Sequence, residues 1–131
     1  MSESNSRRPV AILGASPKSD RYSHMAQMRL MDAGYTVLPV NPAYSEVEGL
    51  MALDNVVEAA AAAGPDGLDT LTLYLGPKHS EPMIDDIIAA RPRRVIFNPG
   101  TESHHVQIAL DKSGIPWMKA CTLVLLSTNQ Y

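Results

Sequence analysis

One cysteine, Cys121, stands in a chain of 131 residues. A lone cysteine excludes an internal disulfide framework and fits a reducing compartment, so a cytoplasmic location is expected. Aromatic residues make up 5% of the sequence, which leaves few platforms for stacking bases. Eleven Lys and Arg stand against 14 Asp and Glu, a net charge of −3. That balance lacks the basic footprint of a nucleic-acid binder. No apolar run reaches the length of a membrane span, and Met1 to Arg8 lacks the apolar region of a secretory signal. Catalytic signatures are missing too: there is no P-loop, no G-x-S-x-G elbow and no Cys/His set at metal-ligand spacing. His104 and His105 are adjacent, so on a helix they diverge. His24 and His79 are isolated, and Asp85 and Asp86 do not converge. No metal site and no catalytic residue is assigned.

What is present is an ordinary globular composition, 45% hydrophobic and 19% charged, at a length that fits one domain. Residues 1–8 are polar and read as a loose tail, and 9–131 as a single domain. Val10 to Leu13 is a short apolar strand, and Gly14 breaks it. A helix is expected from about Tyr22 to Ala33, with Met25, Met28 and Met31 as core filler. Tyr35 to Val40 is a second strand, followed by a loop from Ala43 to Leu50. An alanine-rich helix follows, with Asp54 as its expected N-cap. Leu68 to Leu75 alternates Leu with Thr and Tyr, the pattern of a strand at a sheet edge. A helix over about Ser80 to Ala90, a strand over Arg93 to Phe97, a helix capped by Thr101 or Ser103 and a strand over Ile115 to Met118 complete the alternation. Cys121 to Leu126 is an apolar run of undetermined type. Such βα alternation predicts an α/β fold, a single doubly wound parallel sheet of about five strands in the order 3-2-1-4-5.

The strand-turn-helix over Val10–Arg21 is a ready anion site. Gly14, Ala15 and Ser16 let backbone approach a phosphate, and the following helix N-terminus offers free N–H groups. Lys18 and Arg21 add positive charge. In the expected order the crevice lies between strands one and four, so Gly14-Ala15-Ser16 faces Asn98-Pro99-Gly100. Asn-Pro occurs twice at that edge, at Asn41-Pro42 and Asn98-Pro99. An NAD site would need an acidic residue at the end of strand two, where this chain has Val40-Asn41-Pro42.

These residues resemble a known family. Gly14-Ala15-Ser16, Pro39-Val40-Asn41-Pro42 and Cys121 after the fifth strand are similar to the small stand-alone CoA-binding proteins. Their Rossmann-like fold is related to the N-terminal CoA-binding domain of the succinyl-CoA synthetase α-subunit. The resemblance runs from about Pro9 to Leu126. It implies that Gly14, Ala15 and Ser16 hold the diphosphate of coenzyme A, with Lys18 and Arg21 neutralising phosphates. It implies that Pro39, Val40, Asn41 and Pro42 border the adenosine or its ribose, and that Leu75, Gly76 and Pro77 line the adenine. Asn98, Pro99 and Gly100 would guide the pantetheine arm. Many members carry a Gln-x-Gly-like segment at that last position.

The expected function is binding of coenzyme A or an acyl-CoA without catalysis. Two alternatives remain: a CoA-binding component of a multi-subunit acyl-CoA synthetase, and a domain for another nucleotide such as NAD(P). A homo-oligomer or a partner enzyme subunit fits either. Cys121 is the one candidate thiol for redox or acyl chemistry, and beside Leu123–Leu126 it also fits a small buried apolar residue. On the phosphate reading, Gly14→Val weakens binding far more than it lowers stability.

Overall fold

The structure, a computed structural model, describes residues 8–131. Five parallel strands form the central sheet: β1 (Pro9–Leu13), β2 (Thr36–Val40), β5 (Thr70–Leu73), β6 (Arg94–Phe97) and β7 (Trp117–Lys119). Helices α1 (Tyr22–Asp32), α2 (Val56–Ala62), α3 (Pro77–Ser80), α4 (Ile84–Ala90), α5 (His104–Lys112) and α6 (Thr122–Ser127) join and cover them. Alternate strand residues feed two cores. Ala11 and Leu13 pack with Val56, Ile87, Phe97 and Leu110 on one face, while Val10 and Ile12 pack with Leu30 and Leu126 on the other. This is the α/β doubly wound architecture expected from the alternation, and the Rossmann-like fold that the resemblance implies.

The strand order differs from expectation. It is β2-β1-β5-β6-β7, so the third long strand lies beside β1 and not outside β2. In the numbering of the five long strands this is 2-1-3-4-5, the other common doubly wound order, and not 3-2-1-4-5. The Leu/Thr alternation of β5 imitates an edge strand, yet all four of its residues are buried. Its threonines pair inside the protein. Thr70 donates to Asp69 (2.9 Å) and accepts from Arg94 Nε (2.9 Å), and Thr72 shares a hydrogen bond with Thr122 (2.9 Å). A polar residue whose bonds are met internally carries no burial penalty that would push its strand to the rim.

Local differences have equally concrete causes. The expected loop after β2 contains a hairpin, β3 (Glu46–Val47) and β4 (Leu50–Met51), whose turn residues Glu48 and Gly49 have φ of +52° and +82°. Gln27 clips it to α1 by donating to the Val47 carbonyl (3.0 Å). That bond turns Gln27 and Ser23 inward, and Met25 is exposed rather than core. Asn55, not Asp54, caps α2 and accepts from Glu58 N–H (2.8 Å), while the Glu58 carboxylate accepts from Asp54 N–H (3.2 Å). Ser103 caps α5 through Val106 N–H (3.2 Å). The apolar run after Cys121 is helix α6. The tail expected over 1–8 lies outside the described residues except for Arg8, whose guanidinium meets Asp69 at 3.3 Å. No described helix is long and apolar enough to cross a membrane.

Candidate functional site

Parallel register aligns the strand ends. Leu13 pairs with Val40 and Leu73, and Leu73 with Phe97, so Gly14, Asn41, Tyr74 and Asn98 follow in one row along the C-terminal edge. The order reverses between β1 and β5, and that is where an α/β crevice opens. A cleft of about 380 Å³ occupies this place. Gly14, Ser16, Lys18, Arg21, Asn41, Leu75 and Pro99 line it, all expected from the sequence. Tyr22, Ser23, Tyr44, Tyr74 and Thr101 complete the wall and were not expected. Tyr74 was missed because the expected order placed its strand at the rim.

The turn after β1 is held by backbone. Gly14 N–H donates to the Val40 carbonyl (3.0 Å), and Ala15 N–H donates to the same oxygen (3.3 Å). Asn41 ties the two loops together: its Nδ2 donates to the Ala15 carbonyl (2.8 Å) and its Oδ1 accepts from Ala43 N–H (2.9 Å). Ser16 Oγ accepts from Lys18 N–H (3.1 Å) and shapes the approach to α1. Arg21 is the N-cap residue of α1, and no side chain caps the helix. No acidic residue stands in its first turn, and none lines the large cleft among the described residues. An uncapped helix start with two cations beside it favours an anion. His24 is not part of this wall; it pairs with Glu48 at 2.7 Å.

Two smaller cavities adjoin the cleft. One, of about 120 Å³, shares Gly14, Asn41 and Leu75 with it and is completed by Val40, Pro42, Val56, Asp54 and Asp86 among others. Two carboxylates therefore share a cavity with the end of β2, Asp54 from just before α2 and Asp86 from α4. Sequence spacing carries no signal for such a pair. The other cavity, of about 280 Å³, is lined by Tyr22, Tyr74, Asn98, Pro99, Cys121 and Leu123.

Five expected residues line neither the cleft nor these two cavities. Ala15 is fully buried. Pro39 lies within β2, opposite Ile12, and its carbonyl accepts from Leu53 N–H (2.9 Å). Gly76 is the N-cap residue of α3 and Pro77 its first residue. Gly100 is exposed, and its N–H donates to Glu102 (3.0 Å). Asn98 lines the second cavity but turns its polar atoms inward. Its amide nitrogen donates to Thr72 Oγ1 (2.6 Å) and the Leu73 carbonyl (2.8 Å), and its Oδ1 accepts from Thr122 N–H (2.8 Å). Both amide hydrogens are engaged inside the protein.

Tyr74 has a chemical consequence of its own. Its hydroxyl is buried and closes no hydrogen bond. Burial pushes the phenol up to about 12, with the neighbouring Thr122 and Thr72 hydroxyls pulling the other way. Burial raises Tyr131 as well. A raised phenol favours the neutral form in the folded state. Its stabilisation is complete below the unfolded value near 10 and is lost as pH climbs towards 12. Urea unfolding at pH 9 and pH 11.5 is expected to show an alkaline loss on the order of 2 kcal/mol attributable to Tyr74, and Tyr74→Phe should remove that share of it.

Comparison with known proteins bears on this geometry. A family described as "CoA binding domain" matches residues 8–127. The chain belongs to that family of CoA-binding domains. It is similar to a crystal structure of an uncharacterized protein, with 35% identity, a TM-score of 0.83 and coverage of 95% of this chain and 98% of that one. A conserved hypothetical protein from Pyrococcus furiosus aligns at 30% identity and a TM-score of 0.78, over 89% of this chain and 97% of that one. YneT of Bacillus subtilis strain 168, described as uncharacterized, is 41% identical over 49 residues, which span 37% of this chain and 36% of YneT.

Proposed function

We propose that this chain binds coenzyme A or an acyl-CoA across the C-terminal edge of its sheet, residues 9–131 acting as one domain without catalysis of its own. The observation that carries this reading is the large cleft at the β1/β5 switch point, with its uncapped helix start and its two cations. In this reading the backbone from Gly14 to Ser16 and the first turn of α1 receive the diphosphate, and Lys18 and Arg21 neutralise phosphate charge. The small cavity under Val40, Asn41, Pro42 and Leu75 takes the nucleoside end, where Asp54 and Asp86 offer acceptors to hydroxyl or amino groups. Pro99 borders the pantetheine arm. Asn98 serves it indirectly, by fixing the loop, because its own N–H groups are engaged.

Calorimetric titration with CoA, butyryl-CoA, NAD and ATP tests the reading. CoA or its thioester is expected to bind more tightly than NAD and ATP. Tighter binding of NAD, or no binding of either CoA form, overturns it. The NAD arm matters because Asp54 and Asp86 stand where a ribose-binding carboxylate is wanted.

The cations make a further prediction. Lys18 and Arg21 are both exposed, so their attraction for phosphate is screened by salt. Lys18→Ala and Arg21→Ala are each expected to weaken CoA binding about three- to tenfold at low ionic strength, with the difference from wild type shrinking at 0.5 M salt. Equal affinities for wild type and the double variant at low salt would place the phosphates elsewhere. Of residues 123–126 only Val124 is exposed, at 54%. A single exposed apolar side chain is ordinary and marks no partner surface.

A further inference from the structure

We propose that the cavity beside Cys121 receives the acyl group of a thioester, so that the ligand of this chain is a neutral aliphatic acyl-CoA in preference to free coenzyme A. The inference rests on the CoA reading above and sharpens it. The cavity shares Tyr22, Tyr74 and Pro99 with the phosphate cleft. One elongated ligand therefore passes from cleft to cavity along a continuous wall.

The two ends differ in chemistry. The cleft offers Lys18, Arg21 and the start of α1. The cavity offers two phenol rings, a proline ring, the Leu123 side chain and a thiol, and no charged residue lines it. Its polar groups are few and neutral: both N–H groups of Asn98 are engaged, which leaves the two phenol hydroxyls and the thiol. At about 280 Å³ it is far larger than one water needs, roughly 10–15 Å³. A bare thiol end leaves most of that apolar wall wet. An aliphatic chain displaces the water and removes apolar surface from solvent. A carboxylate at the end of the acyl group meets no partner there and loses its hydration. Leu123, in the first turn of α6, is the specificity-determining residue. Its position is set by Asn98 Oδ1, which accepts from Thr122 N–H at 2.8 Å.

The test is a calorimetric series with CoA, acetyl-CoA, butyryl-CoA, hexanoyl-CoA and succinyl-CoA. Affinity is expected to rise by up to about fourfold per added methylene until the cavity is full. Butyryl-CoA should then bind at least about fivefold more tightly than CoA, and succinyl-CoA no more tightly than acetyl-CoA. Leu123→Ala deepens the cavity and should move the preferred chain to greater length. Leu123→Phe shortens it and should move the preference to acetyl-CoA. A thermal melt shows which variant is folded, and either one suffices alongside the wild-type series. A flat series, tighter binding of succinyl-CoA than of butyryl-CoA, or an unchanged length profile in a folded variant overturns the acyl assignment while CoA binding stands. Failure of CoA and every thioester to bind overturns both readings together.

Discussion

Asn98→Ala is expected to destabilise the protein by about 3–5 kcal/mol, a large fraction of what a domain of this size possesses. Asn98 is 2% exposed, and its side chain joins three elements. It donates to Thr72 and to the Leu73 carbonyl of β5, and it accepts from Thr122 at the start of α6. Alanine leaves the Leu73 carbonyl without this donor and the Thr122 N–H without an acceptor, where Thr122 is fully buried. Each unmet buried polar group costs about 1–3 kcal/mol, and the lost side-chain volume adds a cavity. Urea unfolding measures the total. Asn98→Asp separates the bonding from the volume. It keeps an acceptor for Thr122 but faces the Leu73 carbonyl with a carboxylate, whose protonation burial and the nearby oxygen favour. Its folded-state pKa is therefore raised, and stability should recover as pH falls. A cost below about 1 kcal/mol for both variants would show that the amide network is dispensable.

Gly14→Val is expected to cost about 2–5 kcal/mol and to lower the melting temperature by roughly 10 °C or more. Gly14 has φ of +96°, where a β-branched residue is strained. A Cβ there would lie 2.9 Å from Leu75 Cδ2 and 3.2 Å from the Tyr74 backbone carbon. The side chain of Leu75 can give way, but the Tyr74 backbone belongs to the segment leaving β5 and cannot. The expectation that valine weakens binding far more than it lowers stability thus meets a substantial stability cost that is independent of ligand. Gly14 is required first by the close approach of β1 to its neighbour. Gly14→Ala should cost less but more than the ~1 kcal/mol of an ordinary exposed glycine substitution, because φ and the Tyr74 contact both remain. Thermal and urea melts without ligand check the ranking. A valine variant as stable as wild type would mean that the β1/β5 turn is free to relax.

These two residues mark where the sequence was legible and where it was not. Gly14 was visible as a turn glycine between an apolar strand and a helix. Its contact with Leu75 and Tyr74 was not, because those residues lie some sixty positions on and the expected order put another strand between them. Asn98 was visible as an Asn-Pro pair at a strand end. Its engagement with Thr72 and Thr122 was not, because Leu/Thr alternation looks the same whether the threonines face solvent or one another. Asp54 was legible as a helix start and Asp86 as a helix residue, but not their shared cavity with the end of β2, because the fold and not sequence spacing brings them there.

The sequence by itself determined the alternation of strands and helices, the turn with Lys18 and Arg21 at its rim, and the likeness to CoA-binding domains. Local periodicity, breakers and apolar runs dictate the alternation and the turn, while the likeness rests on Gly14-Ala15-Ser16, Pro39-Val40-Asn41-Pro42 and Cys121. Only the tertiary structure decided the strand order, because right-handed crossovers permit both 3-2-1-4-5 and 2-1-3-4-5. That choice moved the crevice from between strands one and four to between strands one and three, brought Tyr74 and Leu75 against Gly14, and left Asn98 as a buried clasp. In its central place β5 buries both faces, and Thr72 finds its partners in Asn98 and Thr122, residues too distant in sequence for any local pattern to show.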